Sequence, residues 1–173
     1  MDPLVVSSAT PWSCGLACLE SLAAGQGVAF DQLAFIEAHR GRFPDWQAMP
    51  GVTKLDLSRL GESWMLRWDV YDLARELGLA DGLTEFKLRQ PLEAFLARPG
   101  RSAFAVLRRY PVVGDSRTHA HAVRILASGN GELEIMDPGR LRPGRRQRLS
   151  WEAFRLWEPL VFGLGPALAA AKR

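Results

Sequence analysis

Apolar residues near the start of the chain recur at helical spacing. Leu16, Ala17, Leu19, Leu22 and Ala23 line one side of a helix that begins near Cys14 and is stopped by Gly25 and Gly27. A second helix is predicted over residues 29 to 40, ending before Gly41. Upstream, Leu4, Val5 and Val6 form a short extended run, and Pro11 keeps the residue before it out of helical conformation. Residues 41 to 63 show no period and contain Pro44, Pro50, Gly51 and Gly61, which predicts a long loop. Loops of that length in compact domains are often functional, and Phe43, Pro44, Trp46 and Met49 are candidates for a cleft wall. From Asp69, an N-cap candidate, Val70, Leu73, Ala74 and Leu77 predict an amphipathic helix closed by Gly78. Pro91 opens a shorter helix with Leu92, Phe95 and Leu96, broken by Gly100.

Beyond residue 101 the character changes. Residues 102 to 108, 121 to 126, 133 to 136 and 160 to 164 predict strands separated by Gly, Pro and Asn. Trp151, Phe154 and Trp157 mark one more helix, which anchors the C-terminal segment. A helical part over about 1–100 packed on a strand-rich part over about 101–173 is an α+β arrangement, expected as a single domain spanning 1–173.

With 173 residues, 47% hydrophobic and 24% charged, the chain has enough apolar surface for one core. No apolar run reaches the roughly 18 to 20 residues of a membrane span, and the start lacks the positive and apolar regions of a signal peptide. A soluble cytoplasmic protein is therefore expected, with no membrane partner. Arg140, Arg142, Arg145, Arg146 and Arg148 concentrate positive charge, but Pro143 and Gly144 among them predict a solvated turn between strands. No zinc-finger spacing, phosphate-cradling glycine loop or RNA-binding signature is present, so no nucleic-acid partner is expected. The only cysteines, Cys14 and Cys18, are four apart on one helix, a geometry that suits a disulfide poorly. Two free thiols in a reducing compartment follow.

Cys14 is the first candidate for chemistry. At a helix N-terminus a thiol faces unsatisfied N–H groups and the positive end of the helix dipole, which favour the reactive thiolate. Cys18, one turn further, reads as core packing. The second candidate is the hairpin from Thr118 to Pro138, whose two apolar runs flank Ser128, Gly129 and Asn130. A turn centred on Gly129 would set Ile125 opposite Leu133, Val123 opposite Ile135 and His121 opposite Asp137, all on one face. A carboxylate beside an imidazole holds its tautomer and stabilises the imidazolium. His119 shares the parity of His121 and reads as a cleft-lining neighbour, whereas His39 ends a helix, where a cation is favoured. A zinc site from Cys14, Cys18, His119 and His121 does not match common ligand spacings, so neither metal nor cofactor is expected.

These landmarks carry a family resemblance over nearly the whole chain. Cys14-Gly-Leu-Ala-Cys-Leu, His121-Ala-Val-Arg-Ile, Asp137-Pro138 and Leu149-Ser-Trp-Glu-Ala-Phe-Arg-Leu-Trp157 resemble the ordered motifs of the papain-like C39 and C39-like cysteine peptidases. Trp12-Ser-Cys-Gly-Leu-Ala-Cys and the segment from Ser63-Trp64 to Asp72-Leu73-Ala74 are also similar to the guanylyl-cyclase-domain family with a papain-like pattern. The resemblance implies a papain-like fold, with a helical lobe whose central helix bears the cysteine packed on an antiparallel sheet lobe. It also implies hydrolysis of peptide or related amide bonds in a peptide or protein substrate by Cys14, His121 and Asp137. Trp12 beside the cysteine, His119 and Trp46 are, from their positions in the sequence, the candidate cleft-lining residues.

One position departs from the family. Six residues before the cysteine, where the family carries an oxyanion-binding glutamine, this chain has Ser8, and no Gln or Asn occurs in residues 1 to 13. Loss of one such donor costs about 2.7 to 4 kcal/mol of transition-state stabilisation. Ser8 is the candidate substitute, and a silent module that binds an extended peptide in the interlobe cleft is the alternative to an active hydrolase.

Overall fold

The computed structural model describes residues 13–38, 75, 82–111, 118–138 and 145–165. The expected helix from Asp69, the loop over 41 to 63, and Ser8, Trp12, His39 and Trp46 lie outside them.

The Cys14 helix forms as its apolar spacing predicts. Helix α1 runs Cys14–Gly25 and buries Leu16, Ala17, Cys18, Leu19, Leu22 and Ala23. It ends where Gly27 takes φ 71, a left-handed conformation that lets Val28 N–H return to the Ala23 carbonyl at 2.9 Å. Helix α2, Gln32–Ala38, is shorter than the predicted span. Asp31 starts it, its Oδ1 accepting from Ala34 N–H at 2.7 Å.

Strand β1, Leu83–Phe86, follows within a stretch that the sequence pattern read as helical. Helix α3, Arg89–Leu96, leads into β2, Ser102–Pro111, β3, Thr118–Gly129, and β4, Glu132–Asp137. Strand β5, Arg145–Ser150, takes up Arg145, Arg146 and Arg148 of the arginine-rich stretch, while Arg140, Arg142, Pro143 and Gly144, where the turn is expected, lie outside the described residues. As an edge strand it tolerates charge, and Arg146 and Arg148 reach back to Glu134 of β4 at 3.6 and 3.5 Å. Helix α4, Trp151–Arg155, is capped by Ser150, whose Oγ accepts from Ala153 N–H at 3.1 Å, and β6, Pro159–Leu164, completes the fold.

All strand pairs are antiparallel, in the order β1-β6-β2-β3-β4-β5. Alternation along the strands divides the core in two. On one face Phe104, Ala122, Phe162 and Leu164 meet Leu16, Leu19 and Leu22 of α1 and Phe35 of α2. On the other, Ala103, Ala105, Leu107, Val123, Ile125, Leu133, Ile135 and Val161 meet Leu92 of α3 and Phe154 of α4. The protein is thus a mixed helix and antiparallel-sheet fold.

The β3–β4 register differs from the expected one. Its two-residue turn is Asn130-Gly131, with φ 54 and 81, because Asn-Gly readily takes the positive angles a tight hairpin needs. Gly129 therefore pairs with Glu132 and Ser128 with Leu133. Leu126 is an extra residue in β3, after which Ile125 lies opposite Ile135 and Arg124 opposite Met136. The predicted pairs Ile125–Leu133, Val123–Ile135 and His121–Asp137 are shifted by two positions. The shared face survives because that shift is even.

Candidate active site

Cys14 sits at the first position of α1, half-buried at the helix end that faces β3. Ser13 before it makes no side-chain cap; its hydroxyl donates instead to Gln32 Oε1 at 2.9 Å, and Gln32 Nε2 donates to Glu20 Oε2 at 2.9 Å. This buried network ties the start of α1 to α2. Of the first-turn N–H groups of α1, that of Gly15 bonds to the sulfur. Ala122 N–H also donates to Cys14 Sγ, at 3.4 Å.

His121 lies next along β3. Its Nε2 is 2.7 Å from Asp137 Oδ1, and its ring also hydrogen-bonds to the Cys14 side chain. Asp137 uses its second oxygen as well, Oδ2 accepting from Tyr110 Oη at 3.0 Å. The Tyr110 ring lies 4.7 Å from the His121 ring, and Trp157 meets Tyr110 edge-on at 5.3 Å. The His121 and Asp137 side chains are only 11% and 20% exposed, so water screens their pairing weakly.

The charges follow from this packing. Burial alone raises the Cys14 pKa, but the facing His121 charge and bonds from His121, Ala122 and Gly15 outweigh it and leave the thiol below its ordinary value. Burial likewise lowers His121, yet Cys14 and Asp137 together push it up to about 10. Both shifts act in the direction of an ion pair, a thiolate beside an imidazolium. Cys18 behaves oppositely: burial, then the Cys14 charge, push its thiol well up, so it stays neutral in the core.

Three of the candidates named from the sequence thus come together: Cys14, His121 and Asp137. The backbone of His119 belongs to β3 opposite Tyr110, while its side chain lies outside the described residues. Sequence reasoning missed Tyr110, Gln32 and Arg124. Arg124 is buried between β3 and α1, where its Nη1 donates to the Ser21 hydroxyl. An arginine inside the otherwise apolar run from Ala122 to Ala127 was its one available signal. Among the described residues, no three His, Cys, Asp or Glu side chains are grouped as a metal ion would require. No helix among them is long and apolar enough to cross a membrane.

No family model and no curated protein matches the chain. Among solved structures, it is similar to the peptidase domain of Streptococcus ComA, a bi-functional ABC transporter involved in a quorum sensing pathway. Identity is 22%, the match covers 95% of this chain and 98% of that one, and the TM-score is 0.52. The peptidase domain of Streptococcus mutans ComA matches at 17% identity over 92% of this chain and 96% of that one, with a TM-score of 0.40. The first likeness shows the fold alone: the mixed helix and antiparallel-sheet arrangement is similar to that of the ComA peptidase domain.

Proposed function

We propose that the protein is a C39-like cysteine hydrolase of papain-like fold, acting on peptide or related amide bonds of a peptide or protein substrate. One observation carries the reading: His121 Nε2 lies 2.7 Å from Asp137 Oδ1 while the N–H of the adjoining Ala122 donates to Cys14 Sγ at 3.4 Å, so side chains from α1, β3 and β4 converge. The likeness in fold to a peptidase domain supports it. In this mechanism the Cys14 thiol proton resides on His121, and the thiolate attacks the substrate carbonyl carbon to form a C–S bond. Collapse of the tetrahedral intermediate breaks the C–N bond as His121 gives its proton to the departing amine. Water, deprotonated by His121, then splits the thioester, releasing the acid and returning the thiol. Asp137 holds the imidazole and stabilises its charged form throughout. In this reading the oxyanion accepts from the Cys14 backbone N–H and from the Ser8 hydroxyl.

Labelling with an electrophilic thiol probe tests the reading. Cys14 is expected to react faster than a denatured-chain thiol, and His121→Ala to abolish that advantage. Equal rates in native and denatured protein would refute it. A second reading, a silent module that binds an extended peptide, is favoured by Ser8 standing where the resembled family carries glutamine. It predicts peptide binding by both wild type and Cys14→Ala, with turnover by neither.

A further inference from the structure

Tyr110 is out of phase with the strand that carries it. Ala103, Ala105 and Leu107 of β2 face α3 and α4, so strict alternation would bring Arg109 to that face and turn Tyr110 away. The register shifts instead: Leu107 lies opposite His121, but Tyr110 lies opposite His119, three β2 steps against two in β3. A bulge thus exchanges arginine for tyrosine beside the candidate site.

The C-terminal segment holds that bulge in place. The N–H groups of Arg108 and Arg109 both donate to the Trp157 carbonyl at 3.1 Å. Glu158 takes φ 49 directly after it, and its carboxylate pairs with Arg109 Nε at 3.0 Å. Trp157 is itself anchored by its edge contact with Phe154, a fully buried residue of α4. A bulge and a left-handed glutamate both cost energy, and one result of holding them is the placement of the Tyr110 hydroxyl and ring.

From this placement, and resting on the hydrolase reading above, we infer that Tyr110 is a positioning residue: its hydroxyl fixes the Asp137 carboxylate so that Oδ1 faces His121. With Trp157 behind it, its ring keeps water off the His121–Asp137 hydrogen bond. A carboxylate free to rotate would offer His121 either oxygen, or neither. Binding Oδ2 removes that freedom. Among the described residues, the charged or titratable groups facing His121 include Cys14 from α1, Asp137 from β4 and Tyr110 from β2.

The test is an NMR titration of His121 in the full chain, with Cys14 alkylation by iodoacetamide and peptide turnover followed in parallel. Tyr110→Phe keeps the ring and removes the hydroxyl. It is expected to keep the ring-current shift of the His121 protons, lower the His121 pKa by about half to one unit, and reduce kcat roughly tenfold at unchanged KM. Trp157→Leu, the second variant, leaves the hydroxyl and is expected to speed solvent exchange of the His121 Nε2 proton. An unmoved His121 titration in Tyr110→Phe overturns the positioning role, and unchanged exchange in Trp157→Leu overturns the shelter. Failure of the hydrolase reading has a different signature: wild-type Cys14 is then sluggish and turnover absent, while the His121 titration still responds to Tyr110→Phe.

Discussion

His121 and Asp137 lie 2.7 Å apart although the β3–β4 ladder does not set them opposite each other. The Arg124–Met136 pairing, continued outward, brings Asp137 beside Val123, so His121 reaches it along a diagonal. The bulge at Leu126 makes this feasible. In the register next to the turn, Asp137 would fall opposite Arg124 and on the α1 face; the extra residue moves it to the face shared by Val123 and His121. Asp137→Asn keeps the side-chain shape and removes the charge. Peptide turnover is expected to fall on the order of 10²- to 10⁴-fold, and the thermal midpoint to drop because the His121 charge loses a partner, measured by steady-state kinetics and calorimetry.

The two cysteines should separate cleanly in chemistry. Cys14 is half-buried with a depressed pKa, whereas Cys18 is 1% exposed with a thiol pushed well up by burial. One equivalent of iodoacetamide at pH 7 is expected to modify Cys14 alone, with Cys18 labelled only after denaturation. In His121→Ala the buried Cys14 thiol loses its counter-charge, and its alkylation should slow by roughly tenfold or more. Mass spectrometry of digested protein reads both results.

The pH profile follows from two opposite shifts. Cys14 lies below its ordinary 9.0, so the thiolate forms before an unperturbed cysteine would ionise. His121 lies above its ordinary 6.5, at about 10, so it keeps its proton through neutrality. Turnover is expected to rise as the Cys14 thiol ionises, at a pH below 9.0, and to fall as His121 deprotonates near 10. Stability has the matching sign: the His121 contribution is complete below 6.5 and is lost as pH rises to about 10. The Cys14 contribution is present above 9.0 and is lost as pH falls through its lowered pKa. Urea midpoints of wild type and His121→Ala from pH 6 to 10.5 should converge at the alkaline end.

Much of the site was legible because it depends on local pattern. The apolar spacing of Leu16 to Ala23 fixes the helix that starts at Cys14, and the run from Ala122 to Ile125 fixes the strand that carries His121. What stayed hidden is set by pairing across the sheet. Strand β1 has only four residues, Leu-Thr-Glu-Phe, and its extended form comes from β6, to which it pairs from Leu83 to Phe86. The bulges at Leu126 and at Arg108 and Arg109 follow from ladder register and from the Trp157 carbonyl, so the nearness of Tyr110 to Asp137 could not be read from spacing. The turn was offset because Asn130-Gly131 outcompetes a turn centred on Gly129.

Gly163 lies at a close contact between α3 and the sheet. A Cβ there would come within 2.5 Å of the Phe95 ring and 2.6 Å of the Phe86 ring, which pack on each other at 4.9 Å. Gly163→Ala is expected to destabilise the fold by about 1–3 kcal/mol through overpacking, measured by urea denaturation. The Cys14 alkylation rate should hold in the folded protein, because Phe86 and Phe95 lie on the face opposite α1.

Arg124 and Ser21 join β3 to α1 inside the core, so their pairing bears on how the Cys14 helix meets the His121 strand. The guanidinium is 8% exposed and donates from Nη1 to the Ser21 hydroxyl and, at 3.5 Å, to the Ser21 carbonyl. Burial lowers its pKa, while the neighbouring Cys18 acts the other way. Breaking one partner of a buried charged pair costs more than replacing both by apolar groups, because the remaining charge loses a partner without regaining water. Ser21→Ala is therefore expected to destabilise by about 1–3 kcal/mol. The double variant Ser21→Ala, Arg124→Met should recover part of that loss, since methionine fills much of the same space and carries no charge into the core. Chemical denaturation of the two single variants and the double closes the cycle. A double-variant loss equal to the sum of the single losses would show that the two side chains do not act as a pair.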